Sequence, residues 1–120
     1  MLRTWVTAKL HGITVTAASV DYHGSVTIGA DLMDAAGIEH GEQVHVVNLS
    51  TGGRWVTYAL PGPEGVFTLN GGGARLGVPG DKCVVMTFGL AEHAPGAAVV
   101  FCGVGNEAID QAFYPAGLPR

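Results

Sequence analysis

The chain is predicted to be all-β, a barrel or sandwich of short strands. Three features carry that prediction. Apolar residues recur with period two in many short runs, 19 glycines cut those runs apart, and only one stretch has the spacing and closing residue of a helix. At 120 residues the chain suits a single domain, 1–120, whose core needs no disulfide or metal to staple it.

Leu2, Thr4, Val6, Ala8 and Leu10 alternate with Arg3, Trp5, Thr7 and Lys9, as in a strand with one buried face, and Ile13, Val15 and Ala17 continue the alternation. Asp31–Ala36 is predicted as a short helix with Leu32, Met33 and Ala36 as its buried stripe and Gly37 as the left-handed closing residue. Val44–Leu49 and Arg54–Leu60 read as a hairpin through Ser50-Thr51-Gly52-Gly53. Further strands are predicted at Val66–Leu69, Cys83–Phe88 and Val99–Cys102, with a second helical turn around Ala74–Leu76. From Gly105 onward no period is visible and Pro115, Gly117 and Pro119 intervene, so residues 106–120 are expected to form a flexible tail.

A loose internal repeat runs through this pattern. Gly37-Ile38, Gly41-Glu42 and then Val44, Val46 and Val47 are echoed by Gly77-Val78, Gly80-Asp81 and then Val84 and Val85. Each copy turns on a glycine, sets a carboxylate beside the turn and enters an apolar strand, which predicts a barrel of two similar interlocked halves.

Composition narrows the function. Hydrophobic residues make up 48% and charged residues 13%, a balance that argues against disorder and implies that surface is buried against other subunits. With a net charge of −4 and 6 Lys and Arg, no basic patch for nucleic acid or an anionic membrane is visible. Apolar runs such as Ala97–Cys102 are too short to span a bilayer, and the first residues lack the apolar stretch of a secretory signal, so a cytoplasmic location is expected. Cys83 and Cys102 sit in β-branched apolar stretches without metal-type spacing and read as reduced core thiols. His11, His23, His40, His45 and His93 form no metal-binding spacing, so no metal is expected. The run Gly71-Gly72-Gly73 lacks the Lys-Ser/Thr of a phosphate loop and the strand–helix setting of a dinucleotide fingerprint.

What remains is Tyr22-His23-Gly24-Ser25, predicted to lie in a loop, with Lys9-Leu10-His11 before it. Asp34-Ala35-Ala36-Gly37-Ile38, Asn48, Gly52, Arg54, Thr57-Tyr58, Asn70-Gly71 and Gly105-Asn106-Glu107 follow. A Gly-Ser pair alone means little in a chain of this composition. With these marks in order around it, the chain resembles the aspartate 1-decarboxylase family of pyruvoyl enzymes, which form β-alanine and CO₂ from L-aspartate for pantothenate and coenzyme A synthesis.

The resemblance implies a double-psi β-barrel with one or two short helices, assembled as a homotetramer with active sites between subunits. It implies a precursor that cuts itself between Gly24 and Ser25 into 1–24 and 25–120, spontaneously or with a maturation factor. Ser25 would attack the Gly24 carbonyl, and elimination and hydrolysis would leave a pyruvoyl group as the covalent cofactor, with no metal. Its ketone would condense with the substrate amine and take up the electrons left by departing CO₂. Glycine at 24 would spare the tetrahedral carbon a crowding Cβ and tolerate strained angles. Thr57 would steady the developing oxyanion. Tyr58 would protonate the product, Arg54 would grip a carboxylate through its planar fork, and Lys9 would add a second positive charge. Asn70 and the backbone of Gly71, Gly72 and Gly73 would line the substrate.

The chain departs from the family pattern at Gly72-Gly73, where two alanines are typical, at Val47, where some members carry a large aromatic, and in a short segment between Tyr58 and Asn70. Two other readings therefore stay open: a pyruvoyl-dependent decarboxylase of another small amino acid, and an uncleaved barrel serving as a binding module.

Overall fold

Short alternating segments bury one face only if the sheet they build curls around it. The computed structural model describes residues 1–21 and 23–114; Tyr22 of the expected motif and Pro115, Gly117 and Pro119 of the expected tail lie outside them. The strands are β1 (Arg3–Thr14), β2 (Ala17–Ser19), β3 (Ser25–Gly29), β4 (Gln43–Asn48), β5 (Arg54–Gly62), β6 (Phe67–Asn70), β7 (Lys82–Ala91), β8 (Ala97–Cys102) and β9 (Ala108–Tyr114). One helix, α1 (Ala30–Ala36), and two 3₁₀ turns, Gly71–Arg75 and Val104–Asn106, complete the described chain.

The strands form one mixed sheet in the order β2-β6-β3-β5-β4-β7-β1-β8-β9. β1 and β2 are nearly continuous, and the residues between them join the two ends: Val15 N–H reaches the Asp81 carbonyl at 2.9 Å and Thr16 N–H the Phe67 carbonyl at 2.8 Å. The sheet thus closes on itself, with β8 and β9 added outside β1. Its interior is apolar, filled by Phe67, Leu10, Ile13, Ile28, Leu32 and Leu69 together with several fully buried valines. β1 keeps its apolar face inward by slipping register between His11 and Ile13, so that Leu10 and Ile13 both enter the core.

The internal repeat is a repeat of hydrogen bonds. Gly41 N–H donates to the Ala59 carbonyl at 2.7 Å and Ala59 N–H to the Glu42 carbonyl at 3.0 Å; Gly80 N–H donates to the Val15 carbonyl at 2.8 Å and Val15 N–H to the Asp81 carbonyl at 2.9 Å. The carboxylates match as well, Glu42 accepting from Glu39 N–H at 2.9 Å and Asp81 from Val78 N–H at 3.0 Å. Gly41 and Gly80 both have positive φ, which is why each copy turns on a glycine. The strands that follow, β4 and β7, pair with each other across the barrel's pseudo-symmetry, as do β3 and β6.

α1 buries Leu32, Met33 and Ala36 and closes on left-handed Gly37 as its sequence predicts. The second predicted helical turn is the 3₁₀ turn Gly71–Arg75, earlier and tighter than an α-turn because three glycines open it. The largest correction concerns the chain's end. Residues 108–114, expected in a flexible tail, form β9 against β8, and buried Asn106 anchors the approach by donating to the Thr14 and Gly65 carbonyls and accepting from Thr14 N–H at 2.7 Å. β9 is exposed along most of its length, so no alternation announces it; its backbone pairing with β8 forms it. β3 was also absent from the expected strands, being five residues long with only Val26 and Ile28 to mark it.

Candidate active site

Val26 and Ile28 of β3 point into the core, so Ser25 and Thr27 face the other side of the sheet. β6 runs antiparallel beside them and sets Asn70 opposite Ser25 and Thr68 opposite Thr27. Asn70 Nδ2 spends its two protons there, donating to Ser25 Oγ at 3.1 Å and to Thr27 Oγ1 at 3.0 Å. The Ser25 hydroxyl in turn donates to the His23 carbonyl at 3.3 Å. Thr57 Oγ1 donates to the Gly24 carbonyl oxygen at 3.4 Å. The two sides of the Gly24–Ser25 peptide are therefore held by different strands: the carbonyl by β5, the serine hydroxyl by β6. A cavity of about 450 Å³ opens over them, lined among others by His23, Ser25, Thr27, Leu60, Thr68 and Asn70.

One expectation about this peptide needs correction. Ser25 is not in a loop: it opens β3 and is 3% exposed, because pairing with Asn70 draws it under the sheet edge. Gly24 has no positive φ, and a Cβ built on it would meet no atom within 4 Å apart from its chain neighbours.

Tyr58 precedes Ala59 on β5 as Ser25 precedes Val26 on β3, and Val26 and Ala59 are paired, so Tyr58 lies on the same side of the sheet as Ser25. It is exposed. Lys9 and Arg54 are elsewhere. Arg54 is opposite Val47 at the far end of β5, while Lys9 is opposite Met86, which is opposite His45, which is opposite Val56 of β5. Three inter-strand steps of roughly 4.8 Å separate Lys9 from β5, about 14 Å in all. His11 shares the outer face with Lys9; burial first, and then the Lys9 charge, lower its pKa. The turn Gly71–Arg75 follows Asn70 directly, which places Gly71, Gly72 and Gly73 beside the Ser25 side of the site.

The structure adds Thr27 and the His23 carbonyl to the residues around Ser25. Thr27 follows Ser25 on one side of the period-two strand β3, but no strand was expected there, so nothing in the sequence singled it out; a backbone carbonyl leaves no trace in side-chain identity. Neither cysteine takes part. Cys83 is buried and Cys102 half-buried, both are free, and burial first pushes each thiol up to about 11, with Asp81 and Asp31 respectively adding to it.

Among the described residues no helix is long and apolar enough to cross a membrane. The model of the aspartate decarboxylase family matches residues 1–109. The aspartate 1-decarboxylase of Phenylobacterium zucineum (strain HLK1) is 50% identical over 113 residues, a match covering 89% of this chain and 96% of that protein. A match of this extent, together with a barrel that presents Gly24-Ser25 to Thr57 and Asn70, means that the chain belongs to the aspartate decarboxylase family.

Proposed function

We infer that this chain converts L-aspartate to β-alanine and CO₂ in the cytoplasm, on a pyruvoyl group made from its own Ser25. The observation that carries the reading is the Gly24–Ser25 peptide itself, whose carbonyl oxygen accepts from Thr57 and whose hydroxyl accepts from Asn70. When Ser25 Oγ bonds to the Gly24 carbonyl carbon, the oxygen becomes an anion, and the Thr57 hydroxyl is a donor already on it. Collapse breaks the Gly24–Ser25 C–N bond, and the nitrogen keeps the hydroxyl proton, leaving an ester. Loss of the Ser25 α-proton then expels the Gly24 carboxylate and gives dehydroalanine at 25; water hydrolyses its imine tautomer, releasing ammonia. The Asn70 amide fixes which way Ser25 Oγ faces throughout the first step.

The pyruvoyl ketone supplies an electron sink for the pair left by CO₂. Tyr58, on the Ser25 side of β5, carries the phenolic proton for the product carbon. Arg54 and Lys9 supply the cationic recognition of a dicarboxylic amino acid, but Lys9 is about 14 Å along the sheet from β5, and β3 with Ser25 is one strand further, so Lys9 is beyond reach of a substrate held at Ser25 of the same chain. A homotetramer resolves this, with the outer face of one copy bringing Lys9 and Arg54 to the Ser25 of its neighbour. Val56 and Leu49, each 53% exposed near that face, fit such burial.

The test is CO₂ release from a panel of amino acids by purified protein. Aspartate should give the highest kcat/KM, ahead of glutamate, alanine and serine, and Ser25→Ala should release none. A preference for a neutral amino acid would replace aspartate as substrate, and activity in Ser25→Ala would remove the pyruvoyl reading.

A further inference from the structure

We propose that Trp55 is a positioning residue for the Gly24–Ser25 bond, and that Gly73 is glycine to make room for it. The proposal rests on the self-cleavage reading and adds a third element to it. On β5, Trp55 and Thr57 share the inner face, their partners on β4 being the buried Val46 and Val44. Thr57 holds the Gly24 carbonyl. Trp55 lies under the 3₁₀ turn: a Cβ on Gly73 would stand 2.8 Å from Trp55 Nε1 and 3.5 Å from Cδ1 and Cε2, so the pyrrole edge of the indole is against the Gly73 backbone. The ring packs on the core and cannot swing aside cheaply. Its Nε1 is buried with no hydrogen-bond partner among the described residues, so the indole is kept for shape at the expense of an unsatisfied donor.

That shape matters because of what the turn carries. Asn70, the residue before Gly71, is the one whose amide holds Ser25 Oγ. One strand face thus steadies both sides of the reacting peptide, Thr57 directly and Trp55 through the turn and Asn70. A methyl at 73 would have to retreat from 2.8 Å to beyond 3.4 Å, lifting the turn and with it Asn70. Removing the indole would instead leave the turn unsupported. Glycine at this position, where the family pattern typically has alanine, is accounted for by the indole beneath it. Gly72, by contrast, has nothing within 4 Å of a built Cβ.

The experiment is a double-mutant cycle read as the rate at which full-length chain yields fragments 1–24 and 25–120, followed well below the melting temperature of each variant. Gly73→Ala and Trp55→Phe should each slow cleavage by about 10-fold, since sub-ångström displacement of a reacting group is enough for such losses. Trp55→Phe removes an unpaired donor, so it should fold normally. Gly73→Ala/Trp55→Phe, with the methyl in the space the indole leaves, should return to within about 3-fold of wild type. A merely structural role would lower melting temperatures and slow cleavage additively, with no rescue. Additive slowing, or unchanged cleavage in Trp55→Phe, overturns the proposal while leaving self-cleavage intact. Wild-type protein that never cleaves overturns both.

Discussion

Asn48 is fully buried, yet every polar atom of its side chain is used. Its Nδ2 donates to the Leu76 carbonyl at 3.0 Å and to Asp81 Oδ2 at 2.9 Å, and its Oδ1 accepts from Ser50 and Thr51 N–H. The bond from Asn48, and next the one from Val78 N–H, hold the Asp81 carboxyl below its ordinary 3.8, against a smaller opposing effect of desolvation. A carboxyl with a depressed folded-state pKa stabilises the protein above its unfolded-state pKa, and that contribution fades as pH falls through the folded value. Wild type should therefore melt higher than Asp81→Asn at neutral pH, and the gap should close as pH drops from about 5 toward 2. Melting curves of both proteins across that range check this; a constant gap would contradict it. Asn48 was visible in the sequence only as a mark of the family, because nothing in composition or period says that an asparagine faces inward. Ser25 was misplaced for a related reason: Gly-Ser reads as a turn, and only pairing with the distant Asn70 makes it the buried start of a strand.

β5 shows why alternation can reveal a strand and still hide a site. Its inner face carries Trp55 and Thr57 toward the Gly73 turn and the Gly24 carbonyl, and its outer face carries Arg54, Val56 and Tyr58. The hairpin joining it to β4 was legible from Ser50-Thr51-Gly52-Gly53, and so was the period. Which neighbour each face meets was not, because that depends on the parallel pairing with β3 across a chain crossing. β9 was illegible for the opposite reason, being exposed on both faces. If the outer face serves the neighbouring copy, Ser25→Ala and Arg54→Ala chains, each inactive alone, should complement when co-expressed. Sites that take Ser25 from one chain and Arg54 from the other would be intact, about a quarter of those in a randomly mixed tetramer. Aspartate decarboxylation by the co-purified mixture measures it. No recovery above the separate variants would mean that Arg54 and Ser25 act within one chain.

Two interlocked halves were already visible as two glycine turns with a carboxylate beside each, and the matched hydrogen bonds at Gly41 and Gly80 give that repeat its physical basis. Pseudo-symmetry builds the barrel and function breaks it. β3 and β6 are counterparts, but one begins with Ser25 and leads into α1, while the other ends with Asn70 and leads into a glycine turn. The residues proposed for the chemistry lie where the halves differ, which no repeat in the sequence could mark. The central claim is that Ser25 becomes the cofactor, and intact-mass measurement of purified wild type beside Ser25→Ala tests it most directly. Wild type should give two species, residues 1–24 with a free carboxylate and residues 25–120 lighter than a serine-started chain by one ammonia, while Ser25→Ala should give a single full-length chain. A wild-type chain that stays whole, or a 25–120 fragment that keeps its serine, would contradict the account.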